Sequence, residues 1–495
     1  MHWIILIISL ALSSLNGESK NLNNQKRPSV LIIGSSVPAL TAALQLTDRN
    51  ISVTLLYSTP EIDNQISPTT TSVKNVKYRL PKTHSAIFEG SVLTKSLFSR
   101  FGNTFSVLNK INLLLNDNKI LSISSNEYVA TLIFNAWKAG CISFRNLFEV
   151  RTVVSAIRAY NPASDKVKYS NITLEEFGKL TRAPPDLISC FFKSALTDLD
   201  SHMETINAAD AISRMQFYYL NTKNGLRSYH VHNSYTSKTN SKLLVDQIIS
   251  QLESKNTTFK PNYTLEAFYV DSTSGRILGD INNMSIQYDF IVLADTLEQS
   301  RRILSTTKSY NSGDPKIFLP LKKVLDSMNQ YSNASNNLSI KLWLSHLDGE
   351  TKDPILEITN SPYPYSIQSI RQIDKLSGDG NNGTILELIV TGCSSTSKVD
   401  WYKIIKELKN ILPEMGDYDL ERYRCDPIDL GVSMDTKYGN NRLSTSSMVK
   451  FGIPNLILAG DWVDIGDTIV NDLEKSIAIG MEAANDVVKG LIFRD

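Results

Sequence analysis

Three stretches carry residue types from which a site could be assembled. The first is Gly34-x-Ser36-x-x-Ala39, which follows the apolar run from Ser29 to Ile33 and opens a helix-like segment from Pro38 to Thr47. A glycine at the end of a buried strand lets the chain turn sharply. The following helix N-terminus then directs free N–H groups and a positive dipole at an anion such as a pyrophosphate. Ser36 stands where a second glycine would let the backbone meet the phosphates, although its hydroxyl can itself hydrogen-bond a phosphate; Ala39 has only to permit helix–strand packing. The second stretch is Gly460-Asp461, between the apolar run 455–459 and a long helical pattern from Asn471 to Lys489. A carboxylate there can accept hydrogen bonds from a polyol, and the helix N-terminus near Leu473 offers the same donors and dipole as the first. The third is Tyr229-His230-Val231-His232, whose alternation puts both histidines on one face of a strand. That is a metal or acid/base pair or, as we prefer in the absence of a third ligand, a surface strand. Asp295, just after a central strand, is either a crevice residue or a helix N-cap. There is no nucleophile elbow, phosphate-binding lysine motif or zinc signature, so no catalytic residue and no metal ligand is nominated.

The elements that must position these residues read as a nucleotide-binding half-unit. The run 29–33 is a buried parallel strand, Gly34 to Ser36 its turn, Pro38 to Thr47 a helix, and Ile51 to Tyr57 a second strand. Tyr288 to Asp295 reads as another central strand and the run 455–459 as one more, so the two ends of the chain form one lobe around inserted material. From Leu93 to Leu220 the pattern is mainly helical. Ser241 to Leu252 is a further amphipathic helix, and short strands follow around Phe259, at Leu265 to Val270 and at Ser285 to Ala294. Ser339 to Trp343, Ile355 to Ile358 and Ile385 to Thr391 alternate as a half-buried sheet does, and Asp400 to Leu412 is a helix that stops at Pro413.

With 495 residues the chain can bury a large core over two or more lobes. Lys+Arg of 51 against Asp+Glu of 50 gives a net charge of +1, which leaves no electrostatic footprint for nucleic acid. Ile4 to Leu12 is apolar and is followed by Ser13, Ser14 and Gly17, a signal-peptide pattern too short to span a bilayer. Ser19 to Ser29 reads as a linker or as the second half of a two-part targeting signal to a plastid-like organelle. Eight Asn-x-Ser/Thr sequons, at Asn50, Asn171, Asn256, Asn262, Asn283, Asn333, Asn337 and Asn382, are compatible with glycosylation. Cys141, Cys190, Cys393 and Cys425 form no C-x-x-C pair and are either disulfides or buried thiols.

The segment Pro454-Asn-Leu-Ile-Leu-Ala-Gly-Asp-Trp462, with Asn471-Asp-Leu-Glu-Lys-Ser-Ile-Ala-Ile-Gly-Met-Glu-Ala-Ala-Asn485, resembles the C-terminal FAD signature of flavin-dependent amine oxidases and carotenoid desaturases. It is most similar to the phytoene and zeta-carotene desaturase-like branch. Asp289 to Ala294, Ser300 to Leu304, Glu204 to Asp210 and Ser339 to Trp343 are similar to other elements of that superfamily. The resemblance implies an α/β fold in which a Rossmann-like FAD-binding domain is built from N-terminal, central and C-terminal segments, with an inserted α+β substrate domain. The implied organisation is a signal peptide at 1–17, a linker at 18–28, FAD-binding segments at 29–92, 225–305 and 441–495, a mainly helical substrate segment at 93–224, and a sheet-plus-helix substrate segment at 306–440. The implied cofactor contacts are Gly34, Ser36, Val37, Ala39, Leu265, Gly460, Asp461 and Leu473.

The chain departs from the superfamily pattern at three N-terminal points. Ser36 replaces a glycine, Tyr57-Ser58 ends the second strand where an acid should meet the adenosine ribose, and no glycine pair occurs between Gly34 and Gly90. Ser58 to Val73 reads as a plain polar loop. Two functions follow. One is an FAD-dependent oxidoreductase acting on a lipophilic polyene or isoprenoid, or performing a related amine oxidation. The other is a protein of degenerate flavoprotein fold that binds a ligand or partner without catalysis. Tyr57 or the 58–73 loop filling the nucleotide site would favour the second. Leu132-Ile133-Phe134 and Phe191-Phe192 are candidate linings of a substrate tunnel. The expected partner is a lipophilic small molecule, with peripheral membrane contact as an adjunct and no nucleic acid, and the expected compartment is the secretory pathway.

Overall fold

The computed structural model describes residues 27–64, 66–73, 76–81, 87–88, 91–108, 110–114, 120–124, 129–188, 192, 206–216, 228–232, 243–271, 273–274, 276–280, 288–309, 315–333, 337–344, 355–358, 367–375, 384–390, 401–412, 420–428, 432–434, 443–465 and 472–493. The signal-peptide and most of the linker reading lie outside these residues.

Short runs of Val, Ile and Leu make the central sheet. β1 (Ser29–Ile33), β2 (Ser52–Leu56), β3 (Thr258–Lys260), β4 (Phe290–Leu293) and β5 (Leu456–Leu458) lie in the order β3-β2-β1-β4-β5, every neighbouring pair parallel. β4 and β5 are buried throughout, as a parallel sheet covered on both faces requires. The lobe is thus drawn from three distant parts of the chain, as the sequence predicts.

Its helices are α1 (Val37–Asp48), α2 (Val92–Arg100), α5 (Leu297–Thr306) and α6 (Asp472–Ile492); α3 (Val129–Lys138) and α4 (Leu147–Ala159) belong to a separate helical lobe. α1 is buried on nearly every face because α6 lies along it, with Gly480 against Pro38 and Thr41. The helical lobe has its own core, including Ile142, Val150, Val153, Phe177 and Phe192. Lys166, in this lobe, donates to Asp464 of the loop after β5 at 3.3 Å.

A second sheet has seven strands in the order 420–428, 337–344, 384–390, 367–375, 355–358, 110–114, 120–124. Its last two members fall in the segment expected to be mainly helical. They form an antiparallel hairpin, Lys110–Leu114 with Ile120–Ser124, attached in parallel to Ile355–Ile358. A further strand, Thr104–Leu108, pairs with Ser228–His232, which also pairs with Ile87–Phe88, so the two-histidine strand is the centre of a separate three-stranded sheet. Runs such as Thr-Phe-Ser-Val-Leu are too short to separate helix from strand by periodicity, and their partners lie far away in sequence. Two other expectations change. Pro68–Val73, read as loop, is a strand paired with Val76–Pro81, in keeping with its β-branched threonines. Thr384–Val390, read as half-buried, is buried at every residue because it is interior to the sheet and covered on both sides.

Candidate functional site

In the parallel sheet β1 is followed in space by β2 and β3 on one side and by β4 and β5 on the other. The crevice outside the carboxyl ends of β1 and β4 is therefore a topological switch point, where open α/β sheets bind ligands. Gly34 follows β1, Ala294-Asp295 follows β4, and Gly460-Asp461 follows the neighbouring β5.

Gly34 has a φ of +118°, and a Cβ there would overlap the carbonyl of Ala294. Both its conformation and the close approach of β4 demand glycine. Ser36 is the N-cap of α1: its Oγ accepts from Ala39 N at 3.4 Å and donates to Ala294 O at 2.7 Å. The hydroxyl expected to meet a phosphate thus caps its own helix and ties β1's turn to β4. Pro38 has no N–H, so the turn can offer an anion the peptide N–H groups of Ser35, Ser36 and Val37. The first turn of α1 carries no acidic residue, which keeps its dipole available to an anion. Val37 and Ala39 are buried against the sheet.

The loop after β2 closes on this turn. Asn64 Nδ2 donates to Ser35 O at 2.7 Å, Ser35 Oγ donates to Asp63 O at 3.1 Å, and Ile62 and Ile66 enter the core. Tyr57, in the place of a ribose-binding acid, is buried, its N–H donating to Lys260 O at 3.1 Å and its carbonyl accepting from Tyr263 N at 3.0 Å. Burial, followed by the charge of Glu61, pushes its phenol above its ordinary range.

Asp295 marks the β4 side. Its carboxylate accepts from Thr296 N at 2.8 Å, and its carbonyl accepts from Trp462 Nε1 at 3.1 Å and Ser300 Oγ at 3.3 Å. The N-cap of α5 is Thr296 and not Asp295. Burial raises the Asp295 carboxyl, against the Thr296 hydrogen bond and the charge of Arg302, which lower it. Beside it, the volume a Cβ would take at Gly460 is filled by the Trp462 indole. Gly460 therefore admits the chain's own tryptophan across the end of the sheet.

Asp461 is the carboxylate expected to face a polyol. Ser476 Oγ donates to its Oδ1 at 2.5 Å and Lys475 Nζ to its carbonyl at 3.0 Å, so the first turns of α6 fix it in place. Leu473 is buried in the same first turn, and Leu265 is a core residue whose carbonyl accepts from Arg302 Nη2 at 3.3 Å.

Two polar clusters were not legible in the sequence. Buried Glu474 accepts from Leu93 N (2.8 Å), Thr94 N (2.7 Å) and Thr94 Oγ1 (2.6 Å), capping α2 where Ser91 makes no cap bond of its own. In the seven-stranded sheet Lys341 and Glu387 are cross-strand neighbours, both fully buried with N···O at 3.8 Å. Ser339 bridges them, donating to Glu387 at 2.6 Å and accepting from Lys341 at 3.2 Å. The spacing of such partners along the chain gave no sign of either contact; a lone Lys and a lone Glu within apolar runs were the only local trace.

Among the candidate tunnel residues, Phe192 packs against Phe177 in the helical core at 6.4 Å, and Phe134 is exposed at the surface. Phe191 lies outside the described residues. No group of three or more metal-binding side chains occurs among the described residues.

Comparison with solved structures decides the architecture. A putrescine oxidase matches with a TM-score of 0.62 at 9% identity over 94% of this chain and 99% of its own. A cyclohexylamine oxidase from Brevibacterium oxydans matches with a TM-score of 0.62 at 11% identity over 94% and 100%. The chain has the flavin amine oxidase fold. A putative protoporphyrinogen oxidase from Exiguobacterium agrees, with a TM-score of 0.63 at 12% identity over 95% and 100%. No family model and no curated protein matches the sequence. The likeness therefore lies in the fold, which matches over 99–100% of these neighbours at 9–12% identity.

An FAD-like dinucleotide fits the residues present at two of three points. The glycine turn and the acid-free α1 N-terminus suit a pyrophosphate. The Asp461 carboxylate at the head of α6 suits a polyol. The end of β2 brings a buried tyrosine where an acid would hold the ribose.

Proposed function

We propose that this chain is an FAD-dependent oxidoreductase acting on a lipophilic substrate. The observation that supports the reading is the placing of the acid-free α1 N-terminus and the Ser476-held Asp461 carboxylate at the same end of the parallel sheet, in a fold that runs the full length of its neighbours. FAD would supply a two-electron oxidation when bound. The chain's own part is to hold and shield it: Val37 and neighbouring peptide N–H groups at the phosphates, Asp461 at the ribityl hydroxyls, and the head of α6 toward the ring. The substrate class is a polyene or isoprenoid, with an amine as the alternative that the names of two structural neighbours favour.

A second reading, a binding protein without catalysis, is favoured by the Ser36 hydroxyl and the 58–67 loop closing the turn. One experiment separates the two. The protein is purified without residues 1–17 and its visible absorption recorded. Flavin bands, lost in Asp461→Ala, support the enzyme. A colourless protein that does not bind added FAD leaves the second reading.

For location we propose the secretory pathway. Cys141 is disulfide-bonded, as an oxidising compartment permits, and the sequon asparagines Asn50, Asn171, Asn256 and Asn262 are exposed. Endoglycosidase treatment of protein from a eukaryotic host should raise its mobility on gels; unchanged mobility would argue against this.

A further inference from the structure

The helical lobe carries a surface that its core does not explain. Phe134, Trp137, Phe144 and Phe148 are 55%, 41%, 70% and 81% exposed. Among the side chains whose exposure is described, the other phenylalanine or tryptophan so exposed is Phe493, near the C-terminus. Trp137 is in ring contact with both Phe134, at 5.5 Å between centroids, and Phe144, at 6.2 Å. The layer beneath is already filled: Ala136, Ile142, Val150 and Val153 are buried in the lobe's own core. The platform is also fixed. α3 and the short turn Phe144–Asn146 before α4 flank Cys141, which is buried and disulfide-bonded.

An exposed aromatic cluster of this kind marks an interaction surface. Its charge selects the occupant. Lys138, Arg145 and Arg151 are exposed among the rings, opposed by exposed Glu149 alone in this stretch. Tryptophan and phenylalanine rimmed by Lys and Arg suit the interface of an anionic bilayer, where rings enter the headgroup boundary and cations meet phosphates. No helix among the described residues is long and apolar enough to cross a membrane, so the contact would be peripheral.

We infer that α3, the Phe144–Asn146 turn and the start of α4 form a docking surface for an anionic lipid bilayer. The inference stands apart from the cofactor and holds whether or not FAD is bound.

The test is co-sedimentation of the full mature chain with vesicles of phosphatidylcholine, with and without phosphatidylserine, in low and high salt. The wild type should bind the phosphatidylserine vesicles, more weakly at high salt. Phe144→Ser with Phe148→Ser should lower the partition coefficient by about tenfold or more, since both rings leave the interface. Arg145→Gln with Arg151→Gln should weaken binding to phosphatidylserine vesicles and reduce its salt dependence to what Lys138 alone supports. Should the serine pair fail to fold by circular dichroism, the glutamine pair alone decides. Absence of binding to either vesicle, or binding unchanged in the folded variants, overturns the proposal. So does a lipid-free dimer in the ultracentrifuge that Phe144→Ser with Phe148→Ser dissolves, because the face would then be a contact between copies.

Discussion

Glu474→Ala tests whether the carboxylate at the head of α6 holds the lobe together. Glu474 accepts three hydrogen bonds, two from peptide N–H groups at the start of α2 and one from the Thr94 hydroxyl, all between 2.6 and 2.8 Å. The side chain is 2% exposed, so water cannot readily replace it. A hydrogen bond to a charged acceptor contributes about 1.5–3 kcal/mol, and a helix N-cap about 0.5–2 kcal/mol. These terms overlap, because the two N–H groups are themselves the cap. A total of about 3–5 kcal/mol is therefore expected, including two buried donors left without an acceptor. Glu474→Gln keeps one carbonyl oxygen but turns its NH2 toward a donor, so about half of that loss is expected. Hydrogen exchange read at the amides of Leu93 and Thr94 reports the effect locally. About 4 kcal/mol corresponds to roughly a thousandfold loss of protection at these amides. Unchanged protection in Glu474→Ala would refute the cap. So would Gln and Ala variants that behave alike, because the charge and second oxygen would then contribute nothing.

Other substitutions probe the same crevice and the second lobe. Gly34→Ala forces a side chain into the Ala294 carbonyl at positive φ and should destabilise the protein by at least about 1–3 kcal/mol, seen as a lower melting temperature. Asp295 has a folded-state pKa above its ordinary value of 3.8 because of burial, so the folded state holds this proton more tightly and stability falls as pH rises through the window above 3.8. Asp295→Asn should therefore be more stable than the parent at neutral pH, with the gain shrinking as pH falls to the ordinary carboxylate range; a pH series of denaturation midpoints checks the sign. Lys341→Met removes a buried cation from beside the fully buried Glu387 and should cost up to about 3–5 kcal/mol, while Lys341→Met with Glu387→Leu should recover part of it in the same denaturation assay.

Four strands of the parallel sheet were legible because each is a largely apolar run ending in a glycine or a small polar turn, whereas β3, Thr258-Phe259-Lys260, is too short and polar for such a run and showed only as a short strand around Phe259. β1, β2, β4 and β5 fall within the stretches expected, and α1 and α6 match to within a few residues at each end. The seven-stranded sheet was legible only in part. Asn337–Leu344, Ile355–Ile358 and Thr384–Val390 stood out by composition. Lys110–Leu114 and Ile120–Ser124 did not, because two five-residue runs become strands only when Ile355–Ile358 supplies an edge. The structure puts Gly34, Asp295 and Gly460 at the carboxyl ends of adjacent strands, but the partners of the crevice residues had no trace in the sequence. That Ser36 would turn to Ala294, or Asp461 to Ser476, depends on side chains meeting across hundreds or tens of residues, for which one sequence carries no periodic trace.

Those partners change what the motif residues mean. Gly34 is required by the approach of β4 and by its own φ, and Gly460 by the Trp462 indole that fills its missing side chain. Both glycines would be retained by a chain that never met a nucleotide, because losing either disrupts the end of the sheet. Ser36 can replace a glycine for a related reason: its hydroxyl caps α1 and joins β1's turn to β4, two structural gains that an ordinary glycine turn lacks. The glycine pattern therefore reports on the fold. Asp461 has a place in the fold as well, because Ser476 Oγ donates to its carboxylate and Lys475 Nζ to its carbonyl, joining the turn after β5 to the first turns of α6. Contact between Asp461 and a polyol is therefore a question for the absorption spectrum of Asp461→Ala, in which flavin bands should be lost.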